Sequence, residues 1–402
     1  MHSFIENLAP ETRLLVYCAR TRMRSEIVEK VRALVAGDLD WDALLGAADQ
    51  NAVVPLLDRQ LRSIVSDVVP AAQIGRVNEA NRANTLRCLN LTGALIEVLR
   101  LFNAEGVAAL PYKGPVLAAQ AYGDVSLRQF DDVDIILRQR DMAKAHEMML
   151  RLGYAPKFPA PLSPGFQSSF VPGEYKYYSE TRAAIVELHT ELTLRHFPVV
   201  PDLDDFFSRA VDVSLGGHDV RTFAPEDALI AISVHGSKDF WERLSWIADV
   251  SELVESHPRL DWPAISQRAE SLRVERMLHV GLILAGEVLG MDLPGGIARR
   301  VGEDRTAEAI AEKLARNLLG PRPRPASASE RFHLRRHMVS GYLTGWRYAL
   351  RLTVAPAEED WTMARLPRPL APFYILLRPF RLLRKYGRLS EGPEEANGAP
   401  KR

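Results

Sequence analysis

The sequence predicts an α+β fold: a small mixed sheet with helical regions before and after it. Three observations predict this. Residues 1–104 space their apolar residues three and four apart, as amphipathic helices do. Between residues 105 and 200 the pattern changes to short apolar runs of strand length, with helix-sized segments between the first of them. From Pro225 the helical spacing returns and continues to about Leu319.

In the first region, LDWDALLGAADQNAVVPLLDRQL reads as an amphipathic helix pair. ANTLRCLNLTGALIEVLRLFNAEG reads as a longer helix, with Gly106 as its terminator. VAALPYK (107–113) is a short strand. GPVLAAQAYG then opens a helix with Pro115 in its first turn, where a missing N–H does no harm. DVDIIL (132–137) is a second strand, and DMAKAHEMMLRLGY is a helix closed by Gly153. Residues 155–173 are rich in Pro, Ser and Gly and read as a long loop. EYKYYS and AIVELHTEL are two further strands, joined as a hairpin around Glu180 to Arg182. The expected organisation is a helical region at 1–104, an α/β core at 105–200 and a helical domain at 201–319. A linker at 320–330 (GPRPRPASASE), a helical region at 331–389 and a disordered tail at 390–402 complete it.

The 402 residues suffice for two or three domains. Lys plus Arg and Asp plus Glu each number 51, so no global charge steers the chain to nucleic acid or membrane. No basic stripe with interleaved aromatics appears, which argues against a nucleic-acid polymerase. Cys18 and Cys88 sit in apolar helical surroundings and read as reduced core residues of a cytoplasmic protein. Two scattered thiols make no zinc site. The opening MHSFIENLAPETRLLV lacks the charged-then-apolar order of a signal peptide. No apolar run approaches the roughly 20 residues of a membrane span. LAPFYILLRPFRLLRKYG carries Arg378, Arg381, Arg384 and Lys385 among apolar residues, a composition that can lie on an anionic membrane surface. Pro372 and Pro379 interrupt it, so packing on the body is preferred to membrane contact through 370–388.

The chemistry is expected where RQFDDVD (128–134) runs into IILR. Aspartate is a poor strand former, and clustered carboxylates repel one another. In a strand, residues two apart share a face, so Asp132 and Asp134 project together while Val133, Ile135 and Leu137 face a core. Such a pair suits Mg²⁺ that also carries substrate phosphates. In AIVELHTEL the same alternation puts Glu187 and His189 on one polar face, with Glu187 as a third carboxylate. A solvated edge strand with Asp131 as a turn residue is the plain structural alternative. In PYKGPVLAAQ a strand ends in Lys-Gly and opens a helix. Gly114 permits close backbone approach, the helix start favours an anion and Lys113 adds positive charge. A simple strand-to-helix turn explains the same residues.

Together these stretches resemble the nucleotidyltransferase superfamily with the DNA polymerase β-like fold, and more closely the bacterial family of uncharacterised nucleotidyltransferases. LDWDALLGAADQNAVVPLL, YKGPVLAAQAYGDVSLRQFDDVDIIL, AIVELHTEL and HGSKDFWERLSWIADV carry the resemblance over residues 39–255. It implies that Asp132 and Asp134 ligate Mg²⁺ or Mn²⁺. Glu187 would bind the second metal or activate the acceptor hydroxyl, and Gly114 would meet the triphosphate. Arg128 would clamp a phosphate or neutralise Asp131. His235 and Lys238 would reach the phosphates from the helical domain, or belong with Glu242 to an exposed ion-pair face, with Trp246 half-buried. His189 would line the site, while His196 and His218 read as surface loop residues. One departure stands out: the superfamily's Gly-Ser is Lys113-Gly114-Pro115 here, which removes a hydroxyl and an N–H donor.

The implied reaction moves a nucleoside monophosphate from a nucleoside triphosphate, such as ATP, to a hydroxyl. The acceptor is open among small molecules, glycans, peptides and proteins. A catalytically degenerate fold that binds a nucleotide or a partner is the alternative. A glycosyltransferase also holds Mn²⁺ with Asp-x-Asp, but needs a larger nucleotide-binding domain than this α/β stretch provides.

Overall fold

The computed structural model describes residues 2–157, 173–190, 201–320 and 327–354. The helices of the first region are α1 (His2–Glu6), α2 (Pro10–Cys18), α3 (Ser25–Val35), α4 (Trp41–Gln50), α5 (Val54–Ile64) and α6 (Ala71–Ala104). Asp40 starts α4 by accepting hydrogen bonds from the N–H groups of Asp42 and Ala43. The long helix α6 spans roughly 50 Å at 1.5 Å per residue, and Gly106 follows it in the left-handed conformation.

The sheet comprises β1 (Ala109–Pro111), β2 (Val133–Leu137), β3 (Ala155–Pro156), β4 (Glu174–Ser179) and β5 (Ala184–His189). Helix α7 (Gly114–Leu117) and a wider π-helical turn (Ala118–Tyr122) join β1 to β2, and α8 (Met142–Arg151) follows β2. The strand order is β1-β2-β5-β4-β3, with β2 parallel to β5 and every other pair antiparallel. The mixed sheet predicted from sequence is therefore present.

One face of this sheet is dry. Val133, Ile135, Leu137, Val186 and Leu188 pack with Cys88, Leu95 and Phe102 of α6 and with Met148 of α8. The other face carries the charged residues and is partly covered by the helical body. That body contains α9 (Leu203–Arg209), a hairpin of β6 (Val211–Leu215) and β7 (His218–Thr222), α10 (Pro225–Lys238) and α11 (Leu244–Ser256). It continues through α12 (Trp262–Ser271), α13 (Glu275–Leu289), α14 (Gly295–Glu303), α15 (Arg305–Leu319), α16 (Ala328–His337) and α17 (Tyr342–Val354). Cys18 and Cys88 are free and buried, and burial pushes their thiols up to about 12 and about 11.

Several expectations are corrected. The β6–β7 hairpin interrupts the stretch 201–319 expected to be helical, and His218 begins a strand rather than lying in a loop. Its two-residue connection needs positive φ at both positions, which Gly216 and Gly217 supply at 58° and 80°. β3 lies within the expected 155–173 loop, whose residues 158–172 are outside the described set. Helical spacing does not carry through Lys238 to Glu242. Phe240 and Trp241 take left-handed backbone (φ 55° and 53°), so Glu242 belongs to neither helix and pairs with Arg331. The break seats Trp241, fully buried, against Gly236 of α10 and Gly281 of α13. The 320–330 stretch ends in a helix, started by a capping box between Ser327 and Glu330. The 321–326 part, His196, the 370–388 segment and the 390–402 tail lie outside the described residues. Among the described residues, no helix is long and apolar enough to cross a membrane.

Candidate active site

The register aligns the charged residues in rows across the sheet. The Tyr112 N–H donates to the Asp134 carbonyl. Asp134 pairs with Glu187, and Glu187 with Lys176. One row therefore reads Tyr112, Asp134, Glu187, Lys176. The next row runs from Leu110 through Ile136 and His189 to Glu174. Side chains in a row share a face, so strand pairing alone converges these groups.

Asp134 is buried at the centre of the cluster. Its Oδ1 lies 2.7 Å from Lys113 Nζ and 3.0 Å from His189 Nε2. His189 Nε2 is 3.7 Å from Glu187 Oε2. Lys176 Nζ sits 2.5 Å from Glu187 Oε1 and 3.0 Å from Glu174 Oε1. Asp132, half-buried, immediately precedes β2. Asp134, Glu187 and His189 each offer a ligand atom, and those atoms lie within 4.8 Å of one another.

The carboxylates are not electrostatically alike. Burial opposes the charge on Asp134, but Lys113 and His189 hold it far below the usual range. Burial, then Asp134 and Glu174, push Glu187 up to about 7. Burial and Asp134 also raise Asp132. Against burial, His189, Lys176 and Lys238 hold Glu174 down to about 2. Four carboxylates thus face two close ammonium groups, and the surplus falls on Glu187 and Asp132.

Gly114 has φ +57°, and a Cβ there would lie 3.0 Å from the carbonyl oxygen of Asp132. Glycine is required both for the turn and for this close approach to the start of β2. From the helical body, α10 brings up His235 and Lys238. Burial, Lys113 and Lys238 push the His235 imidazole well down. Its ring stands edge-on to the half-buried Trp246, and its buried Nδ1 has no hydrogen-bond partner among the described residues. The buried Tyr112 Oη and Thr190 Oγ1 also lack one.

Arg128 does not pair with Asp131. Its guanidinium makes a two-pronged bond to Asp249 of α11, at 2.8 and 2.9 Å, and Tyr122 Oη donates to the same carboxylate. Asp131 pairs with Arg87 instead. Asp249 is buried. Sequence reasoning missed Lys176, Glu174 and Tyr112. The short turn after Ser179 fixes the pairing of Ser179 with Ala184, and counting back from it sets Lys176 opposite Glu187. A separate cavity of about 550 Å³, lined by Thr21, Arg59, Gln60 and Arg62 among others, contains none of the carboxylates.

The profile of the family described as uncharacterised nucleotidyltransferase matches residues 37–290, more than half of the chain. The chain belongs to this nucleotidyltransferase family. Among solved structures, the antibiotic-resistance factor ANT(2'')-Ia is similar at 11% identity and TM-score 0.28, over 56% of this chain and 97% of that one. An antigenic nucleotidyltransferase-like protein from Paracoccidioides brasiliensis is similar at 13% identity and TM-score 0.28, over 51% and 94%. No curated protein matches.

Proposed function

We propose that this nucleotidyltransferase moves a nucleoside monophosphate from a nucleoside triphosphate to a hydroxyl acceptor, with Asp132, Asp134 and Glu187 holding Mg²⁺ or Mn²⁺. The convergence of Asp134, Glu187 and His189 within 4.8 Å beside the Gly114 turn carries this reading. The donor set fits a divalent cation, because two carboxylates and an imidazole meet where negative charge is in surplus. The imidazole favours Mn²⁺ over Mg²⁺, which prefers oxygen ligands alone. When bound, such an ion would offset triphosphate charge and lower the pKa of the acceptor hydroxyl.

The chain's own residues do the rest. Gly114 admits the phosphates close to the backbone at the start of α7. Lys113 supplies the positive charge that the missing Gly-Ser hydroxyl would have complemented by hydrogen bonding. His235, held neutral and with Nδ1 unpartnered, and Lys238 contact the triphosphate from α10. Glu187 either holds the second metal or, left off the metal and pushed up to about 7, takes the acceptor's proton near neutral pH. Arg128, locked to Asp249, holds the chain that leads into Asp132.

Calorimetry of each nucleoside triphosphate with Mg²⁺ or Mn²⁺ tests this, on wild type and Asp132→Ala/Asp134→Ala. Metal-dependent binding that the double variant loses is expected. Pro115 in place of serine favours a second reading, a binding module without turnover. Equal, metal-independent nucleotide binding by both proteins would favour that module.

A further inference from the structure

Lys176 is a cation held inside the carboxylate group itself. It lies opposite Glu187 in the register, with Nζ 2.5 Å from Glu187 Oε1 and 3.0 Å from Glu174 Oε1. Its side chain is 28% exposed, so the ammonium is only partly withdrawn from water. An ordinary cross-strand ion pair needs one carboxylate. Here a single lysine bridges two, and one of them, Glu187, also belongs to the group converging on His189 and Asp134. The ammonium sits on Glu187 Oε1 while Oε2 lies nearer His189, so an ammonium and a divalent ion compete for the charge of one carboxylate. Glu174 also holds the ammonium, so on leaving Glu187 it keeps a carboxylate partner.

We propose that Lys176 is the resident counter-ion of Glu187, that a divalent ion displaces it, and that the site therefore favours a metal–nucleotide complex over the bare ion. This rests on the metal-dependent reading above. A bare ion entering the group dislodges a positive charge into a region that has just gained two more. A metal–triphosphate complex brings net negative charge, so the displaced ammonium stays among anions. Lys176 thereby acts as a specificity-determining residue for the donor: it discourages metal capture without nucleotide.

The test uses chelator-stripped full-length protein and calorimetry with Mn²⁺ alone, then with Mn²⁺ plus a non-hydrolysable nucleoside triphosphate analogue. Lys176→Met should bind Mn²⁺ alone about tenfold tighter than wild type, since a unit charge a few ångströms away is removed. Lys176→Arg should retain the weak wild-type affinity. With the analogue present, the difference between Lys176→Met and wild type should shrink to about threefold or less. Arg87→Met removes a charge that pairs with Asp131 and does not contact Glu187, and should change affinity for Mn²⁺ alone by less than about twofold. If Lys176→Met does not fold, as judged by circular dichroism, Lys176→Gln takes its place. Equal affinity for Mn²⁺ alone in wild type and the Lys176 variant overturns the proposal, as does an equal gain in Arg87→Met. Metal–nucleotide binding that persists in those cases leaves the functional reading standing. Absence of Mn²⁺ binding in every protein, with or without nucleotide, sinks both.

Discussion

Asp227 and Asp304 belong to the helical body, Asp132 and Glu187 to the charged face of the sheet, and the two pairs are treated in opposite ways. Asp227 is fully buried at the start of α10 and receives two guanidiniums, Arg209 at 3.0 Å and Arg268 at 2.5 Å. Asp304 receives Arg276 at 3.1 Å and His279 at 3.3 Å, and also caps α15. Each structural carboxylate is matched or over-matched by cations. On the sheet, Asp132, Asp134, Glu174 and Glu187 share Lys113 and Lys176, and Glu187 rises to about 7. Buried carboxylates are tolerated when paired, and a group left in surplus stores unfavourable energy that a proton or an added cation relieves. The contrast separates carboxylates paired within the helical body from the surplus carboxylates that we propose hold a metal ion.

The largest effect should come from the sheet. Asp134→Asn should reduce nucleotidyl transfer by on the order of 10³-fold or more, while far-ultraviolet circular dichroism stays native. Near-normal turnover would show that the carboxylate cluster around Asp134 is not the reacting group.

In the helical body the same kind of substitution should act on stability. Asp227→Asn leaves Arg209 and Arg268 facing an uncharged amide and should cost about 3 kcal/mol or more, read by urea denaturation. Glu187→Gln is the matched variant on the sheet. A raised folded pKa means that stability is full below the unfolded value and is lost as pH rises through about 7. In chelator-treated protein at pH 8, Glu187→Gln should therefore be as stable as wild type or more so. Destabilisation of both variants alike would erase the distinction between the two regions.

Much of this was legible in the sequence, and the failures have physical causes. Alternation placed Asp132, Asp134, Glu187 and His189 on one face, because period-2 geometry is local. The partner of Arg128 was not legible, because Asp249 lies 121 residues away on another helix. The break after Lys238 was hidden because Phe240 and Trp241 adopt positive φ without a glycine; burial of Trp241 overrides local preference. Two omissions were readable. LGGH between VDVS and DVRT is a hairpin signal, and Ser327-x-x-Glu330 is a capping box.

A smaller effect is expected at Asp304. Burial opposes its charge, but His279, the Ala307 N–H and Arg276 hold it down to about 2. A depressed carboxylate contributes stability that is present above its unfolded pKa of about 4 and is lost as pH falls toward 2. The contribution is about 2 kcal/mol, from slightly under two units at 1.36 kcal/mol each. The stability gap between wild type and Asp304→Asn should hold steady from pH 7 to pH 5 and narrow below pH 4. A gap that narrows between pH 7 and pH 5 would contradict the assignment.

The smallest effect concerns the joint between the two regions. A Cβ at Gly236 would lie 2.7 Å from three atoms of the Trp241 ring. Gly236→Ala gains up to about 1 kcal/mol of helix propensity and loses about 1–3 kcal/mol by overpacking. The net should be a loss of about 1 kcal/mol. Gly236 neighbours His235 in α10, so displacing Trp241 also tilts the helix end that carries His235 and Lys238 toward the sheet. Nucleotide affinity in the presence of Mn²⁺ should fall along with stability, although the substitution adds no charge and removes no polar group. Gly281→Ala presses on the same ring from α13, at 2.9 Å, and should destabilise without the same loss of nucleotide affinity. If both variants lose affinity equally, the helical body controls the site through its overall stability. If Gly236→Ala alone does, the end of α10 is part of the nucleotide site.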